Sequence, residues 1–169
     1  MEKALKVIQE LQEKRLIKNY AIGGGIGAIF YIEALLTYDL GIFFIPVEDT
    51  KIMVLSDIYN YLQNKGYKPD QEQIIIEGIP VQLIPVYNNL IKEAVEEAVS
   101  TKYKDTETRL VKAEYLMAIM LETFRAKDKE RLIRFLEDLD FNKDSFIQIL
   151  KRYDLKGKYD HFMRLYYGE

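Results

Sequence analysis

The chain has 169 residues, 49% of them hydrophobic and 30% charged, which is enough apolar material for one domain with a real core and excludes a disordered chain. It has no cysteine and a single histidine, His161, so disulfides, thiolate metal sites and multi-histidine metal sites are excluded. The net charge of −3 gives no broad pull on nucleic acid and no DNA-binding signal, although the residues from Arg125 onward carry 11 Lys+Arg against 9 Asp+Glu. The opening "MEKALKVIQELQEKR" lacks the apolar region of a signal peptide, and no apolar run approaches the ~20 residues of a membrane span. A cytoplasmic protein without membrane contact is the expectation.

In chain order, residues 3–18 predict an amphipathic helix, with Ala4, Leu5, Ile8 and Leu11 near helical spacing. Residues 19–22 predict a short apolar strand, cut off by glycines. Residues 24–36 are apolar nearly all round and predict a helix buried on several sides. Residues 40–47, "LGIFFIPV", predict a buried strand, and 52–65 a second amphipathic helix ending near Gly66. "QIIIEGIPVQLIPV" (73–86) predicts a β-hairpin turning at Glu77-Gly78. An acidic helix follows over 88–100, then a short strand at 109–111. Helices are expected over 112–124, 126–138, 143–153 and 158–167. The organisation is an α/β core over 1–111 followed by a C-terminal helical region over 112–169. The hairpin arms must be antiparallel, so the sheet is mixed.

The segment "AIGGGIGAIF" concentrates glycine at 23, 24, 25 and 27, just where a helix is expected to begin. A Walker-type phosphate loop requires a Lys after the glycines, and none follows. A dinucleotide loop is met on spacing by Gly23-x-Gly25-x-x-Ala28, with Glu48 or Asp49 ~20 residues on as a ribose-binding acid. Against it stand the four-residue strand, which follows a helix, and the absence of a repeated βαβ pattern. The third reading starts from Thr37-Tyr38-Asp39-Leu40-Gly41, which follows the glycine segment directly.

The arrangement strand, Gly-Gly, helix, Thr-x-Asp, strand resembles the nucleotidyltransferase superfamily, in particular its small toxin-like and aminoglycoside-modifying branch. "IPVQLIPV" (79–86) is similar to the strand that carries that family's third carboxylate, and Arg125-Ala126-Lys127-Asp128 is similar to a helical element of the branch. Together these cover roughly residues 20–155. The resemblance implies a mixed α/β (α+β) core, a nucleoside triphosphate ligand and Mg²⁺. It implies Gly23, Gly24 and Gly25 as the triphosphate cradle, with Thr37, Arg125 and Lys127 in the nucleotide-binding set. It implies Asp39 as the catalytic carboxylate and metal ligand. Residues i and i+2 of a strand face the same way, so a family Asp-x-Asp presents two carboxylates for one or two ions.

The chain departs from that pattern at two positions. Gly41 stands where the second carboxylate is expected, and Gln82 where the third is. Neither is an anionic ligand. Glu33, Glu48, Asp49 and Glu77 are the nearby acids in sequence, and none lies two residues from Asp39. Two function classes follow from the resemblance. One is a transferase-fold protein that binds, or once bound, nucleotide with weak or lost activity, favoured by the missing carboxylates. The other is an active Mg²⁺-dependent enzyme moving a nucleoside monophosphate onto a protein, RNA or small-molecule acceptor. A dinucleotide-binding or purely interaction module is a further alternative. Each residue also has a structural role open to it: the glycines as a tight turn, Asp39 as a cap, and Arg125, Lys127 and Asp128 as an ion-pair cluster at a helix start. The Tyr- and Arg-bearing tail "KYDHFMRLYYGE" suits a packed terminal helix, and His161 has no assigned role.

Overall fold

A computed structural model describes residues 1–33, 36–48 and 51–169. In chain order the elements are α1 (Glu2–Glu13), β1 (Ile17–Gly23), α2 (Gly24–Ile29), β2 (Leu40–Pro46), α3 (Lys51–Asn64), β3 (Lys68–Asp70), β4 (Gln73–Ile76), β5 (Ile79–Pro85), α4 (Asn89–Glu96), β6 (Val99–Tyr103), β7 (Thr106–Leu110), α5 (Ala113–Thr123), α6 (Ala126–Asp138), α7 (Lys143–Arg152) and α8 (Lys156–Tyr167). The strands form one mixed sheet in the order β3-β4-β5-β2-β1-β7-β6. Strands β2 and β5, and β1 and β7, run parallel; the other neighbours are antiparallel. Among the described residues, no helix is long and apolar enough to cross a membrane.

Alternation along the strands divides the core in two. Tyr20, Ile22, Ile42, Phe44 and Leu83 face α1 and α3, where Leu5, Ile8, Leu11, Ile58 and Leu62 bury against them. Ala21, Phe43 and Val111 face the other way, onto α4 to α8. In the first layer the buried Thr108 hydroxyl is matched by the Tyr20 hydroxyl at 3.2 Å, and the buried Thr106 hydroxyl donates to the Glu2 carboxylate at 3.2 Å. Such pairing avoids the cost of an unsatisfied buried polar atom.

Several expected elements differ in extent. The helix expected over 24–36 is only Gly24–Ile29, with 34 and 35 outside the described residues. Three glycines in its six residues weaken it entropically. It runs out in tightened turns, with Phe30 and Tyr31 N–H bonding to the carbonyls of Gly27 and Ala28. The first helix stops at Glu13, because Arg15 adopts φ 57° and the chain then enters β1 at Ile17. The acidic helix expected to reach residue 100 ends at Glu96, and Val99–Tyr103 instead forms a hairpin with β7. Val99, Thr101 and Tyr103 suit a strand, and Lys104 takes the positive-φ turn position. Strand β3 was not expected either; it lies at the sheet edge, where Pro69 is tolerated.

Helix α6 begins with a tightly held carboxylate. Asp128 is 3% exposed. It accepts from the Arg125 backbone N–H (3.2 Å), from Arg125 Nε (2.7 Å) and from the Thr123 hydroxyl (2.8 Å). The backbone bond is the reciprocal half of a capping box, and the ion pair ties the end of α5 to the start of α6.

Two predictions follow from these contacts. Phe44→Ala, at a fully buried position of the central strand, lowers unfolding free energy by about 3–5 kcal/mol in urea titrations. The second concerns Asp128. Burial alone raises its carboxyl pKa, but the bonds from Arg125 and Thr123 outweigh it and hold it below the usual range. The unfolded chain therefore binds more protons between the folded value and ~3.9, and this contribution is present above ~3.9 and lost as pH falls through the folded value. Asp128→Asn costs roughly 1–3 kcal/mol near neutral pH. It also flattens the acid limb of a stability–pH curve measured from about pH 6 to about pH 2; an unchanged acid limb contradicts the assignment.

Candidate functional site

Register across three strands defines the site. Gly23 of β1 pairs with Gly41 of β2, and Gly41 pairs with Gln82 of β5. Directly paired residues share a sheet face, so this row looks toward α5 and α6. Asp39, just before β2, with Gly41 and Phe43, lies on that face by the two-residue period. The glycine turn closes one side, and the junction of α5 and α6 closes the other.

The result is a cavity of about 420 Å³. Gly24, Gly25, Thr37, Asp39, Arg125 and Lys127 all line it, as do Gly41 and Gln82. Six of the seven candidate residues are thus brought together from segments nearly 90 positions apart. Gly23 is the exception. The Phe43 ring lies over its Cα, and any Cβ there collides with the ring. Gly24 needs its φ of 60°, and its Cα side is open space. Gly25 is required for a different reason: a Cβ there overlaps the Thr37 hydroxyl and lies 2.8 Å from Arg131 Nη2. The close approach of these groups to the turn depends on the missing side chain.

The apolar floor comes from Phe43, Ile84, Leu116, Ile119 and Met120. A second cavity of about 540 Å³ adjoins it, sharing Asp39, Gln82, Arg125 and Lys127, and adds Asp70 and Glu72 from the β3–β4 turn. Glu33, Glu48 and Glu77 line neither cavity, and Glu77 accepts from the Tyr67 hydroxyl at 2.8 Å instead. Asp49 lies outside the described residues.

Electrostatics separates the cations. Arg125 is engaged by Asp128 through two side-chain bonds, of 2.7 and 3.3 Å. Lys127 and Arg131 have no ion-pair partner among the described residues. Arg131 was missed in the sequence. Its only signal was its position six residues after Arg125, nearly two helical turns on, which matters only once α6 is known to border the cavity.

The metal-binding potential is limited by the donors. Among the described residues, Asp39 is the one carboxylate in the main cavity not engaged by a cation, and Gln82 and Thr37 offer neutral oxygens. Among the described residues, no three His, Cys, Asp or Glu side chains gather as a metal site. This set does not fit a carboxylate-held ion centre for phosphoryl transfer.

No family model matches the sequence, and no curated protein sequence matches it. Solved structures do. An antigenic nucleotidyltransferase-like protein from Paracoccidioides brasiliensis is similar at 14% identity and a TM-score of 0.54, covering 92% of this chain and 89% of that one. ANT(2")-Ia in complex with adenylyl-2"-tobramycin is similar at 13% identity and a TM-score of 0.51, covering 92% of this chain and 98% of that one. At these identities the likeness is one of fold. The mixed seven-stranded sheet with its flanking helices is a nucleotidyltransferase-like fold.

Proposed function

We propose that this chain binds a nucleotide in the cavity between the glycine turn and α6, and does not transfer it. The observation that supports this reading is the row Gly23–Gly41–Gln82. It keeps the close-packed turn but carries no anionic group beside Asp39. The rest of the lining favours a ligand that is apolar at one end and anionic at the other. Leu116, Ile119 and Met120 suit a ring, while Lys127 and Arg131 suit phosphate. A structural neighbour was solved with adenylyl-2"-tobramycin, a nucleotide-derived ligand, which agrees with that class.

Transfer chemistry needs more than a binding seat. An attacking hydroxyl must lose a proton, and charge developing on the phosphoryl oxygens must be stabilised. Gln82 is no base at neutral pH, and Gly41 has no side chain. Asp39 alone supplies neither a paired-ion clamp nor a second carboxylate to share the work. The enzyme alternative therefore requires groups this cavity lacks.

The test is a transfer assay. The native chain, incubated with labelled nucleoside triphosphates and Mg²⁺ or Mn²⁺, releases no pyrophosphate above background and acquires no label. A Cβ at Gly41 comes no closer than 3.5 Å to any neighbour outside the adjacent residues, so a carboxylate can be installed there. The double substitution Gly41→Asp with Gln82→Asp is expected to gain metal-dependent pyrophosphate release. Turnover by the native chain that Asp39→Ala abolishes overturns the proposal in favour of an active transferase.

A further inference from the structure

We infer that the cavity is a seat for a single phosphate, in the form of a nucleoside monophosphate held without a metal, and that Arg131 is its principal anion contact. This deepens the nucleotide reading above and rests on it.

Arg131 is half-buried and has no ion-pair partner among the described residues. Its Nη2 comes up against the Gly25 turn beside the Thr37 hydroxyl. A guanidinium withdrawn from water without a partner is costly, and a phosphate would satisfy its fork with two parallel bonds. Thr37 adds a hydroxyl donor at the same point, and Lys127 a second positive charge. Arg125 contributes little, because Asp128 already neutralises it.

Charge decides how many phosphates fit. With Arg125 and Asp128 cancelling, Lys127 and Arg131 stand against Asp39, a net of +1 in the main cavity. A phosphomonoester carries about −1.5 to −2 near neutral pH. A triphosphate brings more negative charge still, and the adjoining space lies past Asp39 and Gln82, which both cavities share. That direction opens into the second cavity, where Asp70 and Glu72 join Asp39. There three carboxylates outnumber the one uncompensated cation, Lys127, and repel a polyphosphate unless metal cations bind between them. Among the described residues, no three His, Cys, Asp or Glu side chains gather to hold such ions. Size agrees: about 420 Å³ lies in the lower part of the ~300–1,000 Å³ range of small-molecule sites.

The experiment is calorimetric titration of the full chain with nucleoside mono- and triphosphates, first in EDTA and then with Mg²⁺. The monophosphate is expected to bind with the same affinity in both buffers, and at least tenfold more tightly than the triphosphate in EDTA. Arg131→Gln weakens monophosphate binding by roughly 10- to 100-fold, the loss of a charge-assisted pair of bonds. Arg131→Lys, which keeps the charge but loses the fork, falls between. Lys143→Gln, an exposed charge on α7 that lines neither cavity, changes affinity by less than about threefold. Circular dichroism and thermal unfolding accompany each variant, and the Arg131→Lys result decides if Arg131→Gln fails to fold. Triphosphate binding that needs Mg²⁺, with no monophosphate binding, overturns this inference but leaves the nucleotide reading standing. Binding of no nucleotide at all removes that reading itself. Unchanged affinity in both Arg131 variants overturns the assigned seat.

Discussion

The close approach of the glycine turn to the central strand is the constraint on which the site depends. Gly23 lies under the Phe43 ring, and Gly25 lies under Thr37 and Arg131. A methyl group at either position forces those neighbours outward. The antiparallel pairing of β1 with β2 sets this distance, and the parallel pairing of β2 with β5 brings Gln82 into the same row. A cavity exists because Gly41 carries no side chain and Gly23 lets the Phe43 ring lie against the backbone, while the apolar residues of α5 line the space without filling it.

The opposite wall is held by electrostatics. Asp128 gathers the Arg125 guanidinium, the Arg125 backbone N–H and the Thr123 hydroxyl into one cluster at the α5–α6 junction. This fixes where α6 begins, and so where Arg131 points. One arginine is consumed in positioning, and another, six residues on, remains available. The division matters for chemistry. A charge already neutralised does little for a ligand, whereas a half-buried cation without a partner has most to gain from one.

The same geometry separates kinship of fold from kinship of reaction. The mixed sheet with its flanking helices is a nucleotidyltransferase-like fold. The chemistry of any fold lives in the side chains grafted on it, and in the row that borders this cavity Gly41 has no side chain and Gln82 a neutral one. The acids that do gather near Asp39, Asp70 and Glu72, come from the β3–β4 turn and flank the outer cavity. They surround a different space from the one that the paired strands define.

Much of this was legible in the residues themselves. The apolar runs at 40–47 and 73–86, the turn at Glu77-Gly78, the glycine cluster and the four C-terminal helices were readable because burial period and turn chemistry are local. So was the departure at Gly41 and Gln82, which is a matter of residue type. Residues whose structure depends on distant partners were not legible. Val99 and Ser100 read as the end of an acidic helix until β7 pairs with Val99–Tyr103. The glycine helix reads as thirteen residues until its glycines and tightened turns end it after six. Lys127 and Arg125 looked alike in sequence, and only the packing of Thr123 and Asp128 tells them apart. The sequence determined which chemical groups this site possesses and lacks, because side-chain type is fixed residue by residue. Tertiary structure alone decided which of them meet, because register and helix packing join positions from 24 to 131 that no local pattern connects.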